Sequence, residues 1–233
     1  MNQKINYTYR YPRPAVTTDC VVYRFDREEL QVLLIQRANE PFRGKWAFPG
    51  GFLEKEETTR QGALRELSEE TGIVPDYLEQ FYTFSAIDRD PRERVISVAY
   101  IGLVNGVKEP FPGDDAAKAR WYPISKLPSL AFDHAQLFEF SLRYLKQQIH
   151  FHPICFILLG KEFTLRDLQK LYESILGKEF DKRNFCRKIN GWGILKPAEM
   201  KSVEKNSCRK GRLFTFDEKK YFRIKEEGFR IEF

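Results

Sequence analysis

Between Gly50 and Ile73 the chain reads GGFLEKEETTRQGALRELSEETGI. Glu66, Glu69 and Glu70 are spaced i, i+3, i+4, so at about 100° per residue they share one face of an α-helix. Leu64 and Leu67 point mostly the other way. Like charges at these spacings repel by roughly a few tenths of a kcal/mol per pair, and a helix selected for stability alone would intersperse lysines. A hard divalent cation such as Mg²⁺, which favours oxygen ligands, would relieve the crowding. The helix by itself leaves a second reading open, a solvated acidic face balanced by Arg65. A cation held here would neutralise anionic charge and acidify a bound water, and the Gly50-Gly51 turn would let the backbone approach closely.

A second group of chemically able residues lies far downstream. In a helix over Asp181–Asn190, Phe185 and Ile189 define a buried side, and Arg183, Arg187 and Asn190 fall on the opposite one, flanked by Asn184 and Lys188. Arginine and asparagine make bidentate contacts to guanine and adenine edges in a major groove. In CRKGRLF, Arg209, Lys210 and Arg212 would reach phosphates or the minor groove from a wing tip. Charge supports this reading. Residues 161–233 hold 19 Lys+Arg against 12 Asp+Glu, whereas residues 1–160 hold 20 against 21, so the whole surplus of +6 lies in the last third. A basic segment joined to a neutral one suggests a module for a polyanion.

These residues need elements to position them. CVVYRF and LQVLLIQR are β-rich runs around the polar turn DREE, a hairpin. Pro49-Gly50-Gly51 marks a turn. Thr58–Thr71 reads as a helix capped by Thr58 or Thr59 and stopped by Gly72. Phe81–Ala86 and Val95–Val104 read as strands around the loop IDRDPRER, and Ala117–Ile124 as a further strand. Asp133–Ile149 is an amphipathic helix. HFHP then breaks the pattern; IHFH, read as a strand, would put His150 and His152 on one side. The domain boundary is placed there, giving domains over 1–150 and 151–233. Thr164–Leu176 is a helix with Thr164 as N-cap, Asp167 three residues on and Gly177 as stop. Helix Asp181–Asn190 follows, and then GRLFTFD and YFRIKEEGFRIEF are read as strands around a basic loop. Helix, turn, helix, hairpin is the order of a winged helix-turn-helix.

Gly51, five residues, Glu57, seven residues, Arg65-Glu66-Leu67, one residue, Glu69-Glu70, one residue, Gly72-Ile73 fits the full Nudix box, and KWAFPGG and GDDAAKARW also resemble that family. The resemblance implies an α/β/α sandwich with a mixed sheet and hydrolysis of nucleoside diphosphates linked to another group. It implies that Glu66, Glu69 and Glu70, with the Gly50 carbonyl, hold Mg²⁺ or Mn²⁺. Glu57 would support the metal site, and Arg65 would orient a glutamate. IDRDPRERVISVAY resembles the matching loop of ADP-ribose-directed members. Arg89, Arg92 and Arg94 are therefore candidates for phosphates, and Trp46 or Tyr82 for stacking on a base. Glu109, Asp114 and Asp115 are alternatives for a general base. The run from FTLRDLQKLYE to NFCRKI resembles the Nudix-related transcriptional regulators, which implies a homodimer, a nucleotide or sugar effector such as ADP-ribose, and a roughly palindromic DNA operator. Two roles follow, a ligand-responsive regulator or an active pyrophosphohydrolase with an accessory winged helix, and the unbroken box leaves retained hydrolysis open.

Composition narrows the setting. Hydrophobic residues make up 42% of the 233, enough for a core and too many for disorder. The N-terminus lacks an apolar signal region, and ICFILL is too short to cross a bilayer. Cys20, Cys155, Cys186 and Cys208 form no CxxC pair, so thiols in a reducing cytoplasm are expected.

Overall fold

The computed structural model describes residues 10–106, 108–111, 113, 116–198, 212–229 and 231. Strands β1 (Ala15–Phe25), β2 (Leu30–Arg37), β3 (Trp46–Ala47), β4 (Gly50–Phe52), β5 (Tyr77–Phe84), β6 (Val95–Val104) and β7 (Ala116–Pro123) form one sheet. Its main path is β3-β2-β1-β6-β5, with β4 joined to β1 and β7 to β2. β1 and β6 run parallel from Ala15↔Val95 to Arg24↔Val104, and the other pairs are antiparallel, so the sheet is mixed.

Side-chain alternation along a strand explains why both faces are covered. In β1, Cys20 and Val22 pack with Ala63 and Leu67 of helix α1 (Thr59–Thr71). Val21, Tyr23 and Phe25 face the other way, into the cluster holding Leu137 and Leu145 of helix α2 (His134–Phe151). The result is an α/β/α sandwich. α1 forms where its signals place it. Thr58 and Gln61 make a reciprocal capping box, and Gly72 closes the helix in a left-handed conformation at φ 66°.

The C-terminal part continues the core on the α2 side. α3 (Cys155–Leu159), α4 (Leu165–Leu176) and α5 (Lys182–Trp192) bring Leu168, Leu171, Tyr172, Phe185 and Ile189 into the same apolar cluster as β1 and α2. Thr164 and Asp167 make the capping box of α4, and Asp181 caps α5. Strands β8 (Phe163–Thr164), β10 (Leu213–Phe216) and β9 (Leu195–Pro197) pair antiparallel in that order beside them. This is a winged helix.

Two local expectations are corrected. IHFH is not a strand: α2 runs on through Phe151, because Leu137, Leu145 and Ile149 keep a buried helical spacing until Pro153 forces His152 into an extended conformation. YFRIKEEGFRIEF is not a strand either. Asp217 caps a helix, α6 (Glu218–Glu226), by accepting from the Lys220 amide. Tyr221, buried in the winged-helix core, and Ile224, packed against it, sit at helical spacing. Cys20 and Cys155 are buried free thiols and Cys186 is a half-buried one; Cys208 lies outside the described residues. Among the described residues no helix is long and apolar enough to cross a membrane.

Candidate functional site

α1 lies across β4, and its acidic face meets the glycine pair edge to edge. A Cβ on Gly51 would sit 2.3 Å from Glu66 Oε1, so only glycine lets that carboxylate approach the strand. The Gly50 amide donates to Glu70 Oε2 at 2.8 Å. Glu70 is buried, and burial first, then the charges of Glu66 and Asp19, pushes its carboxyl up to about 8, against the pull of the Gly50 N–H. Burial also raises Glu66, while Arg65 works against the shift. Arg65 is the hub of this ridge. It donates to Glu57 at 2.6 and 3.1 Å, to Glu66 at 2.9 Å, to Glu69 at 3.1 Å and to the Phe52 carbonyl at 3.2 Å. The Arg65 hydrogen bonds and the Glu54 amide hold Glu57 below the usual carboxylate range.

A cleft of about 480 Å³ opens in front of the ridge, lined by Glu66, Glu70, Arg65, Arg37, Arg92 and Phe52 among others. Arg37 and Arg92 bring positive charge to the carboxylates. Arg37 ends β2, donates to the Pro41 carbonyl at 2.8 Å and lies 4.8 Å from the centre of the Phe132 ring. Arg92 lies 5.9 Å from the same ring and 5.2 Å from that of Phe52. Burial first, then the neighbouring Arg92 charge, lowers the Arg37 pKa, against the pull of Glu70, Asp90 and Asp19. Behind the cleft, Arg89, Asp19 and His134 line a smaller pocket of about 50 Å³. His134 Nδ1 accepts from the Phe48 amide at 2.9 Å, and burial lowers its pKa.

The far end of the molecule carries a basic helix face. Phe185 and Ile189 of α5 are buried, whereas Arg183, Asn184, Arg187, Lys188 and Asn190 are all exposed on it. Arg187 Nη2 donates to Asn184 Oδ1 at 2.8 Å, one turn away, so the two side chains form a unit. Arg212 is exposed immediately before β10, with its guanidinium 5.7 Å from the Phe214 ring centre. Arg209 and Lys210 lie outside the described residues.

The model of the NUDIX domain family matches residues 13–141, more than half of the chain, and that of the NrtR DNA-binding winged helix domain matches residues 155–216. The chain belongs to the Nudix family, in its NrtR-type branch. It is 33% identical over 197 residues to the ADPR responsive transcriptional repressor NtrR of Acinetobacter baylyi, covering 83% of this chain and 79% of the relative. It is 40% identical over 134 residues to the ADP-ribose pyrophosphatase of Methanocaldococcus jannaschii, covering 58% of this chain and 76% of that enzyme. Its fold is similar to that of Shewanella oneidensis NrtR complexed with a 27mer DNA, with a TM-score of 0.69, 30% identity and coverage of 93% of this chain and 97% of the other.

In this Nudix protein the expected ligand-contacting residues separate. Arg92 lines the cleft, although it is also paired with Asp90 at 2.7 Å. Arg89 does not reach into the main cleft. It is buried, donates to both oxygens of Asp133 at 2.8 and 3.0 Å, and lies 3.5 Å from Asp19, so it braces the floor. Arg94 donates to the Ser85 and Ala86 carbonyls at 2.9 and 2.8 Å and holds its own loop. Trp46 packs edge-on against Tyr122, with ring centres 4.9 Å apart, and Tyr82 packs against Phe84 and Phe140, so neither ring lines the cleft. Glu109 is paired with Arg24 at 3.0 Å, and Asp114 and Asp115 lie outside the described residues. Arg37 went unrecognised in the sequence. Its signal there is a charge at the end of the strand LQVLLIQR.

The donor set suits a hard divalent cation. Glu66 and Glu70 crowd against each other, and both are raised by burial and like charge. Glu69 is turned to Arg65 and its side chain is 61% exposed, and among the described residues no three ligand side chains converge into a finished cage. Cation binding therefore requires Glu69 to leave Arg65, or leaves Glu69 outside the first ring of donors. A pH dependence follows. The folded-state pKa of Glu70 lies above its ordinary value of 4.5. Its favourable contribution is therefore complete at low pH and is lost as pH rises through about 8. In EDTA, melting temperature should fall over this window, and Glu70→Gln should flatten the fall. Parallel pH profiles for the two proteins would contradict the assignment.

Proposed function

We propose that this chain is an ADP-ribose-responsive, DNA-binding transcriptional repressor. Its Nudix domain, over residues 1–150, binds the effector, and its winged helix, over 151–233, binds a palindromic operator as a homodimer. One observation carries the reading: a cleft pairing Glu66 and Glu70 with Arg37 and Arg92 shares a chain with a helix that exposes Arg183, Asn184, Arg187, Lys188 and Asn190. The repressor relative is named for its response to ADPR, and the Shewanella relative was crystallised on DNA.

In this reading Glu66, Glu70, Glu69 and the Gly50 carbonyl would hold Mg²⁺ or Mn²⁺, which when bound neutralises diphosphate charge and acidifies water. Arg37 and Arg92 take the remaining anionic charge, and Phe52 and Phe132 give the two guanidinium groups aromatic faces to lie against. Arg65, fixed by Glu57, keeps Glu66 aimed at the glycine turn. Effector changes DNA affinity only by differing in affinity for the DNA-competent and DNA-incompetent arrangements. The test is binding of the full chain to the DNA upstream of its own coding sequence, with and without ADP-ribose. Tight, sequence-selective binding that ADP-ribose shifts is the expected result. Weak binding, equal for all sequences, overturns it.

The unbroken acidic ridge favours a second activity at the same site, slow pyrophosphate hydrolysis, in keeping with the 40% identical archaeal ADP-ribose pyrophosphatase. AMP and ribose 5-phosphate would be the products from ADP-ribose, read as phosphate after a coupled phosphatase. Activity in the wild type that Glu70→Gln abolishes supports it, and equal silence of both proteins rejects it for that substrate.

A further inference from the structure

The tip of the β1–β2 hairpin, in the sandwich, touches α4, the helix packed against the basic helix α5. Arg27 Nη1 donates to Asp167 Oδ2 at 2.8 Å, and Lys170 Nζ is ion-paired with Glu28. These contacts join residues 140 and 142 positions apart in the chain. Asp167 does two things at once, because the same Oδ2 accepts from the Thr164 amide at 2.9 Å in the capping box that starts α4. The hairpin thus holds the residue that closes this helix N-terminus. α4 in turn seats α5 through Tyr172 and Phe185, whose ring centres are 6.2 Å apart.

The other end of the same strand lies in the cleft. β2 runs from Leu30, beside the hairpin tip, to Arg37, and both Ile35 and Arg37 line the cavity in front of the carboxylates. Eight residues of strand span about 25 Å at roughly 3.3 Å per residue. β2 is bonded to β7 from Gln31 to Gln36, with a register shift at Arg37, to β1 over Leu30–Val32 and to β3 at Ile35 and Gln36, so a continuous run of sheet joins the cleft to Leu30, two residues from Glu28 in the turn.

We propose that the Arg27–Asp167 and Glu28–Lys170 pairs are an interdomain latch that couples occupancy of the cleft to the placement of α4 and α5. This rests on the ADP-ribose-responsive reading and adds the route by which the response travels. Partly exposed ion pairs make modest contributions, typically up to about 1 kcal/mol, or roughly fivefold. The latch therefore adjusts the response and does not hold the domains together, a task left to the shared apolar core.

The experiment measures the response factor, the ratio of dissociation constants for the upstream DNA with and without ADP-ribose. The proteins are wild type, Arg27→Gln, Glu28→Lys, Lys170→Glu and the swap Glu28→Lys/Lys170→Glu. Arg27→Gln and each single reversal should shrink the factor by about two- to fivefold, and the swap should restore it. Taking a ratio cancels the altered charge of each variant toward DNA. The swap leaves Asp167 and the α4 cap intact, so rescue separates the ion pair from helix stability. A thermal-unfolding cycle over the same Glu28 and Lys170 variants should show favourable coupling without any ligand. Unchanged response factors together with zero coupling overturn the latch while the functional reading stands. Wild-type DNA binding that ADP-ribose does not alter overturns the functional reading, whereas the ligand-free cycle still reports on the pair itself.

Discussion

Replacing Arg183 and Arg187 together by alanine should weaken binding to the specific operator by about 100-fold or more while leaving the melting temperature unchanged. Both side chains are exposed on α5, and the buried side of that helix is carried by Phe185 and Ile189, so the core does not feel the change. A bidentate contact to a base edge is worth about 1–3 kcal/mol of discrimination, so two lost contacts multiply to this size. Arg187→Ala also releases Asn184, which its guanidinium now holds at 2.8 Å, and so should relax selectivity at a neighbouring base as well. Salt titrations identify what the arginines touch. If they read bases, affinity for scrambled DNA should change little; if they only neutralise phosphates, binding to every sequence should fall and the slope of log K against log salt should drop by about 0.9 per residue. Anisotropy titrations on operator and scrambled duplexes over a salt series give both numbers. An operator affinity within threefold of wild type would remove α5 from the interface.

Gly50→Ala should damage fold and cation site together. The added Cβ would lie 2.1 Å from the Thr18 carbonyl oxygen and 2.8 Å from Asp19 Oδ1. Thr18 is backbone held by the β1–β4 and β1–β6 pairings, so β4 must move and cannot be relieved by a side-chain rotation. Overpacking of this kind costs about 1–3 kcal/mol, or a melting temperature roughly 3–10 °C lower for a chain of this size. The same shift pulls the Gly50 amide from Glu70, which removes the bond that opposes the raised carboxyl. If the proposed site takes Mn²⁺, saturating Mn²⁺ should raise the melting temperature of the wild type, and Gly50→Ala should lose that rise. Gly191→Ala is the control, since its Cβ would meet nothing within 4 Å inside α5; helix propensity makes it neutral or slightly stabilising. Wild-type Mn²⁺ stabilisation in Gly50→Ala would separate the strand's position from the cation site.

Much of this protein is legible in local spacing. Glu66, Glu69 and Glu70 share a helix face at any position in any fold, and the Thr58–Gln61 and Thr164–Asp167 boxes need only their own helix turn. The division of α5 into an apolar side and a basic side is likewise a property of one helix. Such features depend on backbone periodicity, which the chain carries within a few residues. What tertiary structure decided concerns residues brought together over long separations. It made Glu70 a buried carboxylate under Gly50 and turned Glu69 outward to Arg65, although the two are adjacent in sequence. It buried Arg89 against Asp133 and brought Arg37 over Phe132, because the register of β1, β2 and β6 selects which loop ends meet. It also made a helix of Glu218–Glu226, where Tyr221 finds a core to enter. Periodicity specifies which side of an element is apolar; only the packing of all the elements specifies what each polar side chain faces.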